Sequence, residues 1–332
     1  MSKTKKKKEV NDRNINILYI LIVLFFVLYI IFQSNQTLSF IFGAGLIICI
    51  ILALVFEFAI SFKESGLKKN IIEIVIALVI VIIFWILIKI LLNSPVPIDV
   101  VPSCSMLPHL NRGDLIIVQG INKNNIKSID APVINITNNE LDSMIKNINS
   151  EALICVSYFK NGNTGTVTQF YQDGESIGLM QENNYNIVPS SYQNNNLIKY
   201  SCGIANVLLS NGTVKEEAYT NAITINNITI SGDKNNSIIV YQTVPQDLFY
   251  RYGDTYIVHR AYAVLNASGN YYILTKGDNN PGLDIQYDNI PPSLNYTEGK
   301  VIFGIPYLGY LKLAMSSSFI EPAGCNETLQ DS

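Results

Sequence analysis

The chain has 332 residues and a formal net charge of −3, with 48% hydrophobic and 15% charged residues. An ordinary soluble domain has about 25% charged residues, and a disordered chain combines low hydrophobicity with high charge, so this composition excludes disorder. It also argues against a nucleic-acid partner, because no excess of lysine and arginine is present to neutralise phosphates. Together with a mean hydropathy of +0.24, these values indicate a membrane part joined to a sizeable polar domain.

Three nearly continuous apolar runs, at residues 15–33, 38–62 and 71–92, lie near the start of the chain. Each is close to the roughly 20 residues that cross a hydrocarbon core of about 30 Å. We therefore predict a membrane anchor of three transmembrane α-helices over residues 15–92. Buried helices of a soluble protein are a poor alternative, because the runs follow one another almost without a break. A cleaved signal peptide is disfavoured, because no small-residue cleavage site follows the first run.

The placement of basic residues predicts the orientation of this anchor. The connection between the first two runs carries no charge, whereas basic residues precede the first run and separate the second from the third. They are Lys3, Lys5, Lys6, Lys7, Lys8 and Arg13 in the first group, and Lys63, Lys68 and Lys69 in the second. We expect a multi-pass cell-membrane protein with a basic cytoplasmic tail at residues 1–14 and an extracytoplasmic domain after about residue 93.

Two further patterns concern the extracytoplasmic side. Asn-x-Ser/Thr tripeptides agree weakly with a glycoprotein. They start at Asn35, Asn135, Asn211, Asn227, Asn235, Asn266, Asn295 and Asn326. Four cysteines, Cys104, Cys155, Cys202 and Cys325, also lie on this side. A Cys155–Cys202 bridge is one of the pairings that they permit, and the sequence does not choose among them.

Residues 94–332 predict a mainly antiparallel β domain. Runs rich in β-branched and aromatic residues occur at 115–118, 152–158, 256–265, 271–274 and 301–313, separated by Gly, Asn, Asp or Pro. No helical period of comparable length is found in this part. The last run contains Gly304, Pro306 and Gly309, so we expect strands around a bend, with a fourth membrane span as the alternative.

Three short segments carry the residue types of a serine peptidase. They are PSCSMLP at 102–108, followed by RGDLIIV at 112–118; IVHR at 257–260; and TKGDNN at 275–280, with Asp284 beyond it. A serine nucleophile needs a base to take its proton, and the base needs a third group to orient it. Of the two histidines, His109 lies in a proline-containing loop, whereas His259 lies in a predicted strand that can fix its position.

The order of these segments resembles that in type I signal peptidases. A histidine in place of the lysine base is similar to the archaeal enzymes and to the catalytic subunit of the endoplasmic-reticulum signal peptidase. The motifs cover residues 103–118 and 257 to about 310, roughly a quarter of the chain.

The resemblance implies a role for each matching residue. Ser105 would be the nucleophile, His259 the general base, and Asp278 the acid that orients this base. Asp284 matches a second acidic position of the family. The hydroxyl of Ser103 and the backbone N–H of Ser105 would form the oxyanion hole. The implied fold is a signal-peptidase-like β fold, and neither a metal nor an organic cofactor is expected.

Other polar residues near these motifs have plainer interpretations. We expect His109 to be a loop histidine near the substrate cleft and Lys276 to be an exposed lysine rather than a base. Arg260 would either form an ion pair near the site or be solvated.

Two features depart from the family. Relatives usually carry glycine, which has wider backbone freedom, where this chain has Cys104; a chemical role for its thiol is a minor alternative to a small packed side chain. Ser105 and His259 are 154 residues apart, more than in typical relatives. We therefore expect a catalytic β domain at residues 93–120 and 251–332, with a β-rich insertion at 121–250. This insertion would govern which preproteins dock, or which surface partner binds, rather than the rate of bond cleavage.

The sequence thus predicts a membrane-bound serine endopeptidase that cleaves signal peptides from exported preproteins. Its expected partners are these signal peptides, the lipid bilayer and the protein translocation machinery. The alternatives are an inactive relative that acts as a surface glycoprotein or assembly factor, and a peptidase dedicated to pilin or S-layer precursors. We expect Asp278→Asn to impair turnover more than Asp284→Asn, and activity to fall at acidic pH, where a histidine base is protonated.

Overall fold

A computed structural model shows apolar N-terminal helices followed by a mainly antiparallel β domain. It describes residues 3–32, 35–65, 67–146, 152–160, 163–172, 175–176, 186–188, 191–193, 197–315 and 324–330. Within these ranges only the backbone is described for residues 3–14, 36, 58–70, 73, 152–193, 202, 204, 215–218, 311 and 315.

The helices of the described residues fall into a long N-terminal set and a short set within the β domain. They are α1 (Lys3–Ile31), α2 (Gln36–Ser65), α3 (Leu67–Leu92), α4 (Asn138–Lys146), α5 (Leu248–Arg251) and α6 (Tyr310–Met315). Two stretches, Thr37–Glu57 and Ile74–Leu92, are long and apolar enough to cross a membrane, and a shorter apolar stretch covers Ile15–Ile31. The predicted apolar runs are thus confirmed as helices, two of them with a segment of spanning length.

The strands of the described residues begin directly after α3. They are β1 (Ile98–Val100), β2 (Leu115–Gln119), β3 (Val133–Ile136), β4 (Ala152–Lys160), β5 (Asn163–Gln172), β6 (Glu175–Ser176), β7 (Asn186–Val188), β8 (Ser191–Gln193), β9 (Ile198–Leu209), β10 (Val214–Ile225), β11 (Ile228–Ser231), β12 (Ile238–Gln242), β13 (Tyr256–Ala267), β14 (Asn270–Lys276), β15 (Thr297–Ile305) and β16 (Glu327–Gln330).

A seven-stranded sheet, called the inner sheet below, has the order β1-β2-β15-β12-β13-β14, and β3 pairs with β13. All its pairs are antiparallel except β3 with β13. Both β3 and β12 come from residues 121–250, where we predicted a separate insertion. The short apolar β12 lies between β13 and β15, and its three central residues are buried. Residues 121–250 are therefore not wholly separate from the inner sheet.

A five-stranded sheet, called the outer sheet, has the order β11-β10-β9-β16, with β8 also paired to β9. The outer sheet packs on the inner sheet through one shared core, in which Ile198, Tyr200 and Ile223 meet Leu265 and Leu274. Its strand β16 comes from the part of the chain that we assigned to the catalytic domain. A third sheet has the order β6-β5-β4-β7.

Two local predictions about secondary structure were wrong. Helix α4 was missed, although Thr137 and Glu140 form a capping box: the Thr137 N–H donates to the Glu140 carboxylate (2.6 Å) and the Glu140 N–H to the Thr137 hydroxyl (3.2 Å). The run at 301–313 is not a pair of strands around a bend. It holds the end of β15, a turn and most of the short helix α6.

The end of α3 is joined directly to the inner sheet. The N–H of Gly120, just after β2, donates to the carbonyl of Leu92 at 2.8 Å. A Cβ at Gly120 would lie 1.7 Å from the carbonyl oxygen of Asn93, so only glycine permits this approach. Helix α2 also reaches the β domain, where the ring of Phe40 packs edge-on against Tyr310 (centroids 5.7 Å apart).

Candidate active site

The residues between β1 and β2, numbers 101–114 and called the serine loop below, are closed at their base by backbone hydrogen bonds. The N–H of Val101 donates to the carbonyl of Asp114 (2.9 Å), and the N–H of Gly113 donates to the carbonyl of Val101 (2.8 Å). The Arg112 guanidinium donates through Nε to the carbonyl of Pro102 at 3.1 Å. These contacts give the Arg-Gly-Asp motif a structural role, since it fixes where Ser103 and Ser105 emerge.

The side chain of Asp114 forms further hydrogen bonds at the base of the serine loop. Its carboxylate accepts hydrogen bonds from the N–H groups of Asn111 (2.8 Å) and Tyr307 (3.0 Å). Burial raises the pKa of the Asp114 carboxyl, and the two donors offset part of that effect. The carboxyl therefore connects the serine loop to the turn that precedes α6.

The structure brings Ser105, His259 and Asp284 into one hydrogen-bonded chain. Ser105 Oγ lies 2.9 Å from His259 Nε2. On the other side of the ring, His259 Nδ1 lies 2.8 and 2.7 Å from the two carboxylate oxygens of Asp284. His259 and Asp284 are each 3% exposed, whereas Ser105 is half-buried and reachable. This is the arrangement of a serine, a base and an orienting acid.

Asp284 is held as a carboxylate despite its burial. The Tyr241 hydroxyl donates to Asp284 Oδ2 at 2.9 Å. Burial alone would raise the pKa of the Asp284 carboxyl, but the electrostatic interaction with His259 and the hydrogen bonds from His259 and Tyr241 outweigh it and lower the pKa. Burial and the adjacent Asp284 charge in turn keep the pKa of Tyr241 well above its ordinary value. The phenol therefore remains a donor.

Asp278, which we predicted as the acid that orients His259, lies in a different cluster. Its two carboxylate oxygens accept bonds from Arg260 Nε and Nη2, both at 2.7 Å. His109 Nδ1 also lies 2.9 Å from Asp278 Oδ2. In this geometry Asp284, not Asp278, is the carboxylate bound to His259.

The reason lies in the pleat of β13. Adjacent residues of a strand point to opposite faces, so His259 and Arg260 cannot reach the same carboxylate. Asp284 lies in a single turn of 3₁₀-helix, Asp284–Tyr287, and is buried against the face that carries His259. Asp278 lies two residues beyond the end of β14, on the side of β13 that carries Arg260.

Ser103 lies beside the candidate nucleophile, with its Oγ 3.1 Å from Ser105 Oγ. The prediction that its hydroxyl and the Ser105 N–H form an oxyanion hole stays a prediction, because that role depends on a bound substrate. The hydrogen bond places a second hydroxyl within reach of any group attached to Ser105 Oγ.

Cys104 forms a disulfide with Cys325, with the two Cα atoms 5.0 Å apart. A free thiol beside Ser105 is therefore absent, and chemistry at a Cys104 thiol is not supported. Cys104 is not among the described residues with positive φ, so its backbone does not require glycine at this position. The side chains of Cys155 and Cys202 lie outside the described residues.

The turn after β14 packs tightly against the serine loop. A Cβ at Gly277 would lie 2.8 Å from the carbonyl oxygen of Ser105, so glycine is required for the close approach. The N–H of Asn279 donates to the same Ser105 carbonyl at 2.7 Å, and its side-chain amide lies 3.1 Å from the carbonyl oxygen of Cys104. The Gly-Asp-Asn motif thus positions the backbone of the serine loop.

The predictions for the other polar residues near the motifs had different outcomes. His109 is a partly exposed loop histidine, as expected, but it contacts Asp278. Arg260 forms the ion pair that was one of its two interpretations. Lys276 is buried, at 9% exposure, rather than exposed; its Nζ lies 3.4 Å from the Gly277 carbonyl oxygen.

Three residues of the site were missed from the sequence. Tyr241 was assigned to the insertion, although Ile-Ile-Val-Tyr is as apolar as the other buried strands and could have signalled a place in the inner sheet. Asn279 stood in the motif without a role. Cys325 had no local signal that paired it with Cys104.

Among the described residues no group of three or more His, Cys, Asp or Glu side chains could hold a metal ion. Comparison with models of protein families, with curated proteins and with solved structures gives no significant match.

Proposed function

We propose that this chain is a membrane-anchored serine endopeptidase that removes signal peptides from exported preproteins. One observation carries the proposal: Ser105 Oγ, His259 and Asp284 form an unbroken hydrogen-bonded chain that is open to solvent only at the serine. The motif resemblance to archaeal and endoplasmic-reticulum type I signal peptidases supplies the substrate class.

The reaction follows from the roles of these three groups. His259 Nε2 takes the Ser105 proton as the oxygen attacks the scissile carbonyl, and Asp284 stabilises the resulting imidazolium. The imidazolium then gives the proton to the leaving amine, and an ester on Ser105 remains. Water, activated by the same histidine, hydrolyses this ester. Ser103 and the Ser105 N–H would stabilise the oxyanion in both steps.

An open strand edge supports binding of an extended peptide. Strand β14 pairs with β13 only from Arg260 onward, so in the described part of the chain no strand lies on that side of Tyr256–His259. A substrate segment can add there as a further strand and would end at the His259 ring, beside Ser105. The resemblance implies small substrate side chains one and three residues before the cut.

The proposed location follows the lysine pattern, with the N-terminus in the cytoplasm and the β domain outside. Ser105 is thirteen positions after Leu92, a maximum reach of about 45 Å, so Ser105 would stay near the membrane surface where a signal peptide emerges. The bilayer and the translocation machinery are the partners that this placement implies, and the Asn-x-Ser/Thr sites would then be accessible to glycosylation.

Two alternative functions make different demands on the candidate site. An inactive relative, serving as a surface glycoprotein or assembly factor, would not need the intact Ser105–His259–Asp284 chain. A peptidase dedicated to pilin or S-layer precursors would keep it and differ only in its substrates.

Cleavage of a preprotein by the full chain in lipid vesicles tests the proposal. We expect Ser105→Ala and His259→Ala each to lower kcat by about 10⁴ to 10⁶. Ser210→Ala, which alters an exposed serine beyond β9, is the matched control and should cleave at the wild-type rate. Near-normal turnover by either site variant would refute the mechanism, and no cleavage of any preprotein by the wild type would refute the function. Profiling several precursors would reveal a dedicated client.

A further inference from the structure

The outer sheet is connected to the serine loop through its strand β16. This strand pairs with β9 of the outer sheet, from Glu327 opposite Leu209 to Gln330 opposite Asn206. Just before it, Cys325 is bonded to Cys104, the residue next to Ser105. The outer sheet contributes no group to the Ser105–His259–Asp284 chain, yet it is covalently attached to the loop that carries the serine.

Asn279 makes the second connection. Its side-chain nitrogen lies 3.1 Å from the Cys104 carbonyl oxygen, and 3.2 and 2.8 Å from those of Gly324 and Glu327. Its side-chain oxygen accepts the N–H of Leu329 at 2.7 Å. A single amide therefore bonds to the serine loop on one side and to three residues around β16 on the other.

The position of the Cys104 carbonyl determines the direction of the Ser105 N–H. It belongs to the same planar, trans peptide unit as the N–H of Ser105, so the C=O and N–H bonds point in opposite directions. When Asn279 holds the Cys104 oxygen, it also fixes the direction of the Ser105 N–H. That N–H is the backbone donor assigned to the oxyanion hole. The Asn279 N–H additionally holds the Ser105 carbonyl, so both peptide units around the serine are fixed.

We propose that Asn279 and the Cys104–Cys325 disulfide, together called the C-terminal clamp, are positioning elements that hold Ser105 and its N–H in reactive geometry and link the outer sheet to catalysis. The inference rests on the proposed function for its catalytic part. It differs from our sequence prediction that the insertion at residues 121–250 does not affect the rate of bond cleavage, because β9 lies in that region and pairs with β16.

Kinetic analysis of two clamp variants tests this, using the full chain in lipid vesicles and a minimal signal peptide. Asn279→Asp keeps the acceptor for Leu329 but removes the side-chain donor to the Cys104 carbonyl, which still accepts the N–H of Leu107 at 3.3 Å. The double variant Cys104→Ser/Cys325→Ser removes the disulfide without leaving a free thiol. Because an oxyanion interaction is made in the transition state, we expect kcat to fall about 10- to 100-fold with KM within about threefold. Loss of one oxyanion donor outright costs about 10² to 10³.

Two controls separate positioning from general loosening. Asn280→Asp makes the same chemical change one residue later and should retain kcat within about threefold. Leu141→Ala shortens a buried side chain of α4, in a core that contains no residue of β16 or of the serine loop, and should lower thermal stability without a matching loss of kcat. Unchanged kcat in both clamp variants, or a loss expressed only in KM, would overturn the proposal.

Hydrogen exchange measured by mass spectrometry gives a readout that does not need activity. Exchange of amides in residues 103–110 should be faster in both clamp variants than in the wild type and in Asn280→Asp. If the wild type cleaves nothing, the proposed function fails while faster exchange still supports the positioning of the loop. Unchanged exchange overturns the clamp in either case. If Asn279→Asp does not fold, the double serine variant decides.

Discussion

The two faces of strand β13 carry two carboxylate sites that differ in what they can do. On one face His259 meets Asp284, with Tyr241 as a further donor, and all three side chains are buried. On the other face Arg260 binds Asp278 through two hydrogen bonds, and its Nη1 donates to the carbonyl oxygens of Lys234 and Asn236. This second site borders an open cavity of about 350 Å³.

The difference between the faces is the chemistry of the cation. A guanidinium stays protonated at all accessible pH and only donates, so the Arg260–Asp278 pair is a permanent structural link. An imidazole gains and loses a proton in the physiological range, so the His259–Asp284 pair can take part in proton transfer. Two aspartates six residues apart in one motif therefore have different functions because they face different neighbours on one strand.

The largest expected effect on kcat comes from replacing each carboxylate by an amide. We expect Asp284→Asn to lower kcat by about 10³ to 10⁴, because an amide cannot orient and stabilise the His259 imidazolium as a carboxylate does. We expect Asp278→Asn to lower kcat by less than about tenfold. Cleavage of a minimal signal peptide by the two variants, measured side by side, gives the ranking opposite to the sequence-based one.

Unfolding measurements serve as the internal control for this pair. Asp278→Asn leaves the buried Arg260 without its carboxylate, and breaking a buried ion pair costs about 3 kcal/mol or more. Its main effect should thus be a lower free energy of unfolding rather than slower chemistry. Equal losses of kcat in the two variants would remove the distinction between the faces.

A smaller effect is expected from Tyr241→Phe. The change removes one hydrogen bond to the Asp284 carboxylate, and a bond to a charged group contributes about 1.5–3 kcal/mol. The pKa of Asp284 should rise, so the acidic limb of the pH profile of kcat should move to higher pH, whereas kcat near neutral pH should fall only a few-fold. A pH profile of kcat checks this. A profile and rate identical to the wild type would show that His259 alone determines the state of Asp284.

The smallest effect concerns Asp288, which ends the 3₁₀ turn that carries Asp284. Burial raises its pKa to about 6, and Arg251 offsets only part of this. The folded state therefore binds a proton more tightly than the unfolded state, so the free energy of unfolding falls as pH rises from about 4 to about 6. Asp288→Asn should remove this fall and stabilise the protein by about 1 kcal/mol at pH 7.5, a value reduced for the partial exposure of the group.

The substitution is suited to the site because Asp288 has φ of 54°, a left-handed conformation that asparagine also tolerates. Denaturant unfolding at pH 4.5 and pH 7.5 measures the effect. Equal changes in the free energy of unfolding between these pH values in the wild type and in Asp288→Asn would show that Arg251, not burial, controls the Asp288 carboxyl.

The sequence predicted the features that depend on local pattern. Apolar runs identified the N-terminal helices, and motif order identified Ser105 and His259, which the structure places in hydrogen-bond contact. It failed where the answer depends on which distant segments meet. The choice between Asp278 and Asp284 required knowing which face of β13 each one reaches, since one lies in the Gly-Asp-Asn turn and the other only six residues later.

The boundary of the insertion shows the same limit. Length alone suggested that residues 121–250 form a unit apart from the catalytic domain, because they lengthen the interval between Ser105 and His259. Strand β12 lies within that interval but pairs with β13 and β15, and it brings Tyr241 to Asp284. The local sequence of a strand does not show which distant strand it pairs with. The local sequences around Cys104 and Cys325 likewise do not show that these two cysteines are bonded.

That disulfide also sets an order in time. Its two cysteines are separated by 221 residues, so the bond cannot form until nearly all of the β domain has been synthesised. A nascent chain that has already produced Ser105, His259 and Asp284 still lacks the half-cystine that fixes the serine loop. The bond to the serine loop therefore depends on the synthesis of Cys325, which precedes β16 and follows every other strand of the inner and outer sheets in the described residues.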